Sequence, residues 1–574
     1  MPTEAPVYCD PVDSQGSAVP RWDRAESAAK LLDFDTARGR GWSQRAAAQE
    51  AGVPRSTLLH WDARRGRSDL PDAVADFLET PIGLAWLHRL VLAAVFVMTL
   101  RGPEGIRLVC EFLRLSGLAE VVAASFGAVQ KLTRQMQQEV VAFGQQERTR
   151  LAVGMAPKAI TVCEDETFHP QPCLVAIEPV SNFVLLERYV ERRDAQTWNE
   201  TMAEALAGLR VEVVQSTGDE GQAIKCHARD ALQAHHSPDL FHVQHSLSQG
   251  VSLPLASRVR RAAEQYDKAV RKTADVLARR DAWHAKRHGP GRPPDFDGRI
   301  ERAHETEHAA RQAIDEALAD QQACRDAVAG LSTDYHAYRL DDGMAQSAKQ
   351  LRVLLEARFA VIDSIADRAG LTERCRKKID KARRVVDAMV DTVAFVHTEI
   401  AVRIAGLEIS PAERTEVARR LVPGLYLERV AGRAKQAEER HVLRDTAERL
   451  LVPLRAAGHP LRRLAPETAE QVEDVARLCA DLFQRSSSCV EGRNGQLALF
   501  HHGLHCLTED KLAALTVVHN FHIRRTDGTT AAQRFFGAGH DDLFGRLVDR
   551  MPQLARPARG RSRRPYQPVS KAAA

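Results

Sequence analysis

The sequence predicts a mixed α/β and all-α protein. Its sheet has three antiparallel strands followed by two crossover strands, a long helical insertion interrupts it, and a helix-turn-helix precedes it. Ala, Leu, Arg and Glu dominate the 574 residues and aromatic side chains make up only 5%, which favours helix. Strand-like apolar runs are concentrated in residues 158–243. Residues 255–481 instead show a charged, amphipathic helical pattern.

The composition limits the classes of function. The chain is 44% hydrophobic and 27% charged, so it can bury large cores in several domains. A net charge of +4 excludes a polycation that coats nucleic acid indiscriminately, although local basic surfaces stay open. The ten cysteines form no CxxC pair, which indicates a reducing compartment. We expect a soluble cytoplasmic protein that does not cross a membrane, because the apolar run Leu90–Leu100 is too short to span a bilayer.

Residues 1–70 contain a helix-turn-helix pattern. Ser43 is a candidate N-cap, Gly52 permits a left-handed turn, and Val53, Leu58 and Trp61 supply an inward face. The second helix would present its polar residues outwards, towards DNA bases and phosphates. These candidate DNA-binding residues are Arg55, Ser56, Thr57, His60, Arg64 and Arg65. The alternative is a small helical hairpin that packs on another part of the protein.

The next regions alternate between helix and sheet. Residues 71–154 are predicted to form a helical connecting domain, and residues 155–254 the first part of the sheet domain. The expected strands are Lys158–Asp165, Cys173–Glu178, Phe183–Val190, Val211–Val214 and Asp239–Val243, with a helix from Asp194 to Leu209. Helical crossovers would join the last two strands, which predicts a mixed sheet.

The second half of the chain contains a long helical insertion, after which the predicted sheet domain resumes. Residues 255–481 form the predicted helical insertion, in which two long helices, Leu255–His288 and Asp297–Leu331, form a coiled-coil hairpin with a basic tip. Residues 482–551 complete the sheet domain. Residues 552–574 are a basic tail that we expect to be disordered and able to neutralise phosphates.

Three carboxylates occupy positions where they can converge. Asp165 ends the first strand, Asp219 follows the fourth, and Glu491 lies at the start of a late helix. Phosphodiester chemistry needs charge stabilisation at the attacking and leaving oxygens, which two divalent cations about 4 Å apart supply. Carboxylate oxygens are the ligands that such hard cations prefer. Spacing alone does not select these three among 76 acidic residues.

The sequence around the acids resembles the DDE-type transposases of bacterial insertion sequences, which have a ribonuclease H-like catalytic core. The stretches that carry the resemblance are Val162–Phe168, Ser216–Gly221, Asp239–Val243, Val490–Asn494, Leu515–Phe521 and Arg525–Gly537. Ala531 stands where the family commonly has proline. The helix-turn-helix is a usual accompaniment of this core, and some transposases carry a helical insertion before the glutamate.

The resemblance implies a metal-dependent DNA transposase in which Asp165, Asp219 and Glu491 are both the catalytic triad and the ligands of two Mg²⁺ or Mn²⁺ ions. Hydrolysis at the ends of the element would free a 3′ hydroxyl, which would then attack target DNA. The partners would be double-stranded DNA, at terminal inverted repeats and at the target, and further copies of the chain in a homodimer or larger assembly. The location would be the bacterial cytoplasm, in association with the nucleoid.

Several alternatives stay open at the level of sequence. A strand register that differs by one residue would make Glu164 or Glu166 the ligand in place of Asp165. Arg493 and Asn494 would touch DNA, orient the glutamate or pack.

Histidines and cysteines near the strands offer further readings. His242 and His245 would assist the site or, in the favoured interpretation, cap or pack. Five further residues match no zinc spacing and are expected to pack, namely Cys163, His169, Cys173, Cys226 and His227.

The competing function is a non-catalytic DNA-binding regulator or an inactive transposase relative.

Overall fold

The computed structural model describes residues 22, 24–63, 72–78, 80–168, 171–289, 291–504 and 507–557. The chain divides into two compact units. Residues 1–155 and 495–574 form the first unit, and residues 156–494 form the second. Most of the described chain is helical, and it contains one five-stranded mixed sheet. The predicted mixed α/β class with a large helical part is therefore confirmed.

The first unit begins with three short helices around a small core. They are α1 (Arg24–Gly39), α2 (Gln44–Ala51) and α3 (Arg55–Asp62). Ser43 caps α2 by accepting a hydrogen bond from the backbone of Ala46, and Gly52 ends it with a φ of 66°. Leu58 is fully buried, with Trp61 packed against the same core. The predicted cap, turn and inward face are confirmed at these residues.

Four further helices complete the N-terminal part of this unit. They are α4 (Asp72–Leu78), α5 (Pro81–Phe96), α6 (Ile106–Leu115) and α7 (Phe126–Gly154), and a π-helical turn extends α5 to Arg101. Within the described residues, Pro81–Arg101 is the one helix that is long and apolar enough to cross a membrane, and half of its most apolar window is buried inside the protein. Inside the first unit, Phe96 packs edge-on against His522 at 4.8 Å between ring centroids.

The second unit holds the sheet, whose strands lie in the order β3-β2-β1-β4-β5. The strands are β1 (Lys158–Phe168), β2 (Pro172–Glu178), β3 (Phe183–Tyr189), β4 (Val211–Gly218) and β5 (His235–Pro238). β1, β2 and β3 are antiparallel, whereas β4 and β5 run parallel to β1. Along the chain, α8 (Ala195–Leu206) connects β3 to β4. The helix α9 (Gln222–Cys226), which a π-helical turn extends, connects β4 to β5. The predicted mixed sheet and its first four strands are confirmed.

The predicted fifth strand, Asp239–Val243, is wrong. The strand is His235–Pro238, and Asp239 instead caps α10 (Leu240–Leu247) by accepting a hydrogen bond from the backbone of Phe241 at 2.8 Å. Leu240, Val243 and Leu247 recur at helical spacing and all three are buried. Because the true strand is polar and only four residues long, it carries no apolar period from which it could be recognised.

The insertion is a helical domain with a continuous core. Its two longest helices, α11 (Leu253–His284) and α12 (Phe296–Asp334), pack against each other, which confirms the predicted pair of long helices. The remaining helices are α13 (Ala348–Arg368), α14 (Glu373–Arg383), α15 (Val386–Ala405), α16 (Pro411–Glu416), α17 (Val422–Arg433), α18 (Ala437–Leu451) and α19 (Pro466–Leu482). The buried core of this domain includes α10 of the sheet region, so sheet and insertion belong to one unit.

The chain then runs through α20 (Ser488–Leu504), α21 (Glu509–Phe521), α22 (Ala531–Phe536) and α23 (Leu543–Arg550). Asn494 is the last residue of the second unit, so the boundary between the two units falls within α20. Within the first unit, α21 packs on α7, with Phe143 and Phe521 edge-to-face at 5.8 Å. The predicted basic tail lies outside the described residues from position 558 onwards.

Gly144 is required for the close approach of α7 and α21. A Cβ atom at this position would lie 2.4 Å from a methyl group of Val517, whereas a Cβ at Gly154, on the same helix, would meet nothing within 4 Å. We expect Gly144→Ala to lower the free energy of unfolding by about 1–3 kcal/mol through overpacking. Gly154→Ala should be neutral or slightly stabilising, since alanine has the higher helix propensity. Urea denaturation of both variants checks this, and equal effects would contradict it.

Candidate metal centre

Asp165 projects from the central strand towards the face of the sheet on which Glu491 lies. Side chains alternate along β1, so the neighbouring acids Glu164 and Glu166 point to the opposite face. There, Glu164 is fully buried and accepts a hydrogen bond from Ser216, while Glu166 accepts one from the indole of Trp198 at 3.1 Å. Both flanking glutamates are therefore engaged away from Glu491, and Asp165 is the strand acid that faces it.

Glu491 meets Asp165 from the first turn of α20. One carboxylate oxygen from each of these residues and one ring nitrogen of His242 all lie within 4.8 Å of one another. Asp165 is only 8% exposed, and the other two are half-buried. This is the one cluster of three or more His, Cys, Asp or Glu groups with such spacing among the described residues. The structure thus brings two of the three predicted acids together.

Asp219 lies at the edge of this cluster. The parallel ladder pairs Cys163 with Thr217, and two residues further along each strand are Asp165 and Asp219. One oxygen of Asp219 accepts a hydrogen bond from the backbone of Gly221 at 2.8 Å. Asp219 is outside the 4.8 Å group, but its charge is among those that raise the pKa of Asp165. It is therefore an electrostatic neighbour of the centre in this structure.

His242 is the member of the cluster for which sequence reasoning favoured a packing role. It lies one helical turn after the capping Asp239, and the buried Nε2 atom of His242 has no hydrogen-bond partner. Its nearest recorded acid is Asp239, with Oδ2 at 3.7 Å. The signal that could have found it is the spacing of Asp239 and His242 on a helix, which the misplaced fifth strand concealed. His245, by contrast, is exposed and contacts Gln249 at 2.7 Å.

The electrostatics of Asp165 are those of a buried carboxyl among other carboxylates. Burial is the largest cause that raises its pKa from an ordinary 3.8 to about 7, and the charges of Glu491 and Asp219 act in the same direction. The backbone N–H of Glu166, which donates to Asp165 at 2.8 Å, and the nearby His242 oppose this rise. Acids held together at such a cost are typical of a site that binds a cation.

The donor atoms fit a divalent metal ion. Asp165 and Glu491 offer hard carboxylate oxygens, and the buried side-chain oxygen of Asn494 has no hydrogen-bond partner. The amide nitrogen of Asn494 lies 3.5 Å from Asp165 Oδ2, which helps to orient that carboxylate. The set combines hard carboxylate oxygens with one imidazole nitrogen, and divalent transition-metal ions accept both kinds of ligand.

Arg493 is placed differently from its predicted contact with DNA. It is 5% exposed, and its guanidinium binds Glu187 of β3 through two hydrogen bonds of 2.8 and 2.5 Å. Asp165 pairs with Val175 on β2, which pairs with Glu187 on β3, so Asp165 and Glu187 lie in one row across the sheet. Arg493 is therefore a buried link between α20 and the sheet, which is the packing role that the sequence left open for this residue.

The other candidate residues fall into two groups. Arg55, Ser56 and His60 are exposed on α3 and Thr57 is half-buried, whereas Arg64 and Arg65 lie outside the described residues. Four of the five residues considered for zinc pack without forming a cluster: Cys163, Cys173, Cys226 and His227. The fifth, His169, lies outside the described residues.

Comparison with known proteins gives one match. A family model described as a family of unknown function, DUF6399, matches residues 417–563, a stretch that contains Glu491, Arg493 and Asn494. No curated protein and no solved structure matches the chain. The match thus covers the helical side of the metal centre but not the strands that carry Asp165 and Asp219.

Proposed function

We propose that this protein is a metal-dependent DNA transposase that cleaves and joins phosphodiester bonds with Asp165, Asp219 and Glu491. The observation that carries the proposal is the meeting of Asp165 and Glu491. Two acids far apart in sequence, one on a central strand and one on a late helix, place carboxylate oxygens within 4.8 Å of each other. A long helical insertion separates them along the chain, so only the folded sheet domain brings them together.

The sheet supports a ribonuclease H-like core. An antiparallel β3-β2-β1 ribbon followed by the parallel strands β4 and β5 is the order that this fold implies. The first acid lies on β1, the second directly after β4, and the third on a helix that covers the same face as the first. This distribution agrees with the arrangement inferred from the resemblance to DDE-type transposases.

The chemistry follows from what each side chain can do. Two divalent cations held at this cluster would supply activation of the attacking oxygen and stabilisation of the leaving oxygen. Asp165 would hold them from the central strand, Asp219 from directly after β4, and Glu491 from the helix. The backbone of Glu166 and the amide of Asn494 fix the Asp165 carboxylate. Preorganised carboxylates of this kind need little rearrangement when charge develops in the transition state.

The N-terminal helices support recognition of DNA ends. α2 and α3 are joined by a left-handed turn at Gly52, and the outer face of α3 presents Arg55, Ser56 and His60. A helix of this size fits the major groove of B-DNA, with its first residues at the base edges. Terminal inverted repeats and a target duplex are therefore the proposed partners. Because two ends must be paired, a homodimer or larger assembly on bacterial nucleoid DNA is part of the proposal.

The test is cleavage of a linear duplex that carries the DNA flanking the gene, with the full-length protein and Mg²⁺ or Mn²⁺. Wild type should nick at defined positions and leave 3′ hydroxyl ends. We expect Glu491→Gln to reduce the rate roughly 10³-fold or more. Glu467→Gln is the matched control, since Glu467 also occupies the first turn of a helix, α19, but is exposed and away from the centre.

The outcomes separate the proposal from its competitor. Cleavage that both variants retain would remove Glu491 from the metal centre. Specific binding of the duplex by wild type without any cleavage would instead favour the non-catalytic regulator or inactive relative.

A further inference from the structure

The long helical hairpin is electrically asymmetric. α11 carries eight Lys or Arg against four Asp or Glu, whereas α12 carries nine acids against four bases. The connector between them adds Lys286, Arg287 and Arg292. The small net charge of the whole chain conceals this separation, because the two helices nearly cancel. One helix of the hairpin together with its tip is therefore a basic surface, and the other is acidic.

Four of the eight basic residues of α11 form a straight stripe. Arg261, Lys268, Lys272 and Arg279 follow one another at spacings of seven, four and seven residues, and all four are exposed. At 100° per residue these positions fall within roughly 20° of one line along the helix. The line is about 27 Å long at 1.5 Å per residue. We call these four residues the basic stripe.

The basic stripe is not used to hold the hairpin together. The face of α11 that packs is formed by Leu255, Ala262, Ala269 and Thr273, and it lies about 100° around the helix from the stripe. Two stripe residues have contacts within α11 itself: Arg279 pairs with Asp275 at 2.8 Å in an exposed i,i+4 pair, and Arg261 donates a hydrogen bond to the carbonyl oxygen of Ser257 at 3.3 Å. Such pairs contribute little and exchange readily for other partners. The stripe is therefore available to an external polyanion.

The tip of the hairpin extends the basic surface, and aromatic contacts hold its connector in place. The ring of Trp283 stacks on that of His288, with centroids 4.0 Å apart and planes 9° from parallel, and Phe296 packs beside them at 5.8 Å. His288 also contacts the backbone carbonyl of Trp283 at 2.6 Å. These contacts fix the connector on which Lys286 and Arg287 are exposed.

We propose that the basic stripe and the hairpin tip bind the sugar–phosphate backbone of duplex DNA without reading its sequence. The choice of DNA among polyanions rests on the proposed function. A straight row of cations about 27 Å long matches a linear array of phosphates, whose helical repeat is about 34 Å. The acidic helix α12 would be repelled by the same duplex, so the hairpin can engage DNA along one side only.

The experiment measures binding of the full-length protein to a duplex of about 30 base pairs and arbitrary sequence, in EDTA, at several salt concentrations. Lys268→Ala/Lys272→Ala/Arg279→Ala removes three positive charges from the stripe. Arg299→Ala/Arg302→Ala/Arg325→Ala is the matched control, since it removes three exposed charges from α12 of the same hairpin. Circular dichroism should be unchanged in both, because every altered side chain is exposed.

The expected result is a loss of affinity of roughly tenfold or more at low salt for the stripe variant alone, with a salt-dependence slope smaller by about 2 to 3. Equal losses in the two variants, or no loss in either, would overturn the inference. The metal-free assay keeps it separate from catalysis. If the stripe variant binds DNA as wild type does, while Glu491→Gln abolishes cleavage, the inference about the stripe is overturned and the proposed function stands. If instead the stripe variant loses DNA binding as expected but wild type does not cleave DNA, the inference about the stripe stands and the proposed function is overturned.

Discussion

Asp165→Asn is expected to abolish metal-dependent DNA cleavage and, at the same time, to stabilise the metal-free protein above pH 7. The catalytic loss should be roughly 10³-fold or more, because a neutral amide is a far weaker ligand than a carboxylate. The stabilisation arises because Asp165 is 8% exposed and lies among carboxylates of like charge. A residue selected for stability alone would not show these two opposite effects.

The sign of the pH dependence follows from the direction of the pKa shift. Burial raises the pKa of Asp165 from 3.8 to about 7, so the folded protein holds its proton where the unfolded chain has lost it. The associated stability is therefore fully present below pH 3.8 and is lost as the pH rises through about 7. At about 1.4 kcal/mol per pKa unit, the loss approaches at most about 4 kcal/mol. Asparagine carries no proton to lose and should remove most of this dependence.

Thermal unfolding at pH 6 and pH 8 in EDTA measures this effect. The difference in stability between Asp165→Asn and wild type should grow from pH 6 to pH 8. Mg²⁺ or Mn²⁺ should raise the midpoint temperature of unfolding of wild type at pH 8 and leave that of Asp165→Asn unchanged. Asp194→Asn is the control, because Asp194 is an exposed N-cap of α8 and asparagine caps about as well. A wild type that gains stability between pH 6 and pH 8 in EDTA would contradict the prediction.

Arg493→Ala is expected to lower the free energy of unfolding by about 3–5 kcal/mol, since it removes the guanidinium that is paired with the buried carboxylate of Glu187. Both side chains of this pair are almost fully buried, at 5% and 0% exposure, and they are joined by two hydrogen bonds. The pair also fixes α20 on the row of residues that holds Asp165. Glu491 lies two residues before Arg493, so affinity for the metal ion should fall as well.

A surface pair provides the matched comparison. Arg477 and Glu473 on α19 also approach to 2.5 Å, but both are 53% exposed. Arg477→Ala should cost less than about 1 kcal/mol, because solvent screens the charges. Urea denaturation of Arg493→Ala and Arg477→Ala makes the comparison, and adding Glu187→Gln and the Glu187→Gln/Arg493→Ala double variant measures the coupling within the buried pair. A double variant as unstable as the sum of its single variants would show that the two residues do not act as a pair.

The regular elements of the sheet could be predicted where local pattern and burial agree. Apolar runs marked the first four strands, and Asp194 marked the start of α8. The prediction failed at β5, because His235–Pro238 gives no apolar period and Asp239 belongs to the following helix. In β4 only Val211–Val214 was an apolar run, whereas Gln215, Ser216 and Thr217 before the predicted end at Gly218–Gly221 are buried and hydrogen-bond within the protein. Polar residues in a buried strand have tertiary partners that a local pattern does not contain.

The sequence by itself determined the mixed architecture, the short helices around Gly52, the strand that contains Asp165 and the strand that Asp219 follows, because each depends on neighbours within a few residues. Only the tertiary structure decided which acids meet. His242 joined Asp165 and Glu491, and Arg493 turned inwards to Glu187. Those contacts are set by how α10 and α20 pack on the sheet, across an insertion that no local pattern spans. The opposite charges of α11 and α12 were present in the sequence, but only the fold showed that the basic stripe faces outwards.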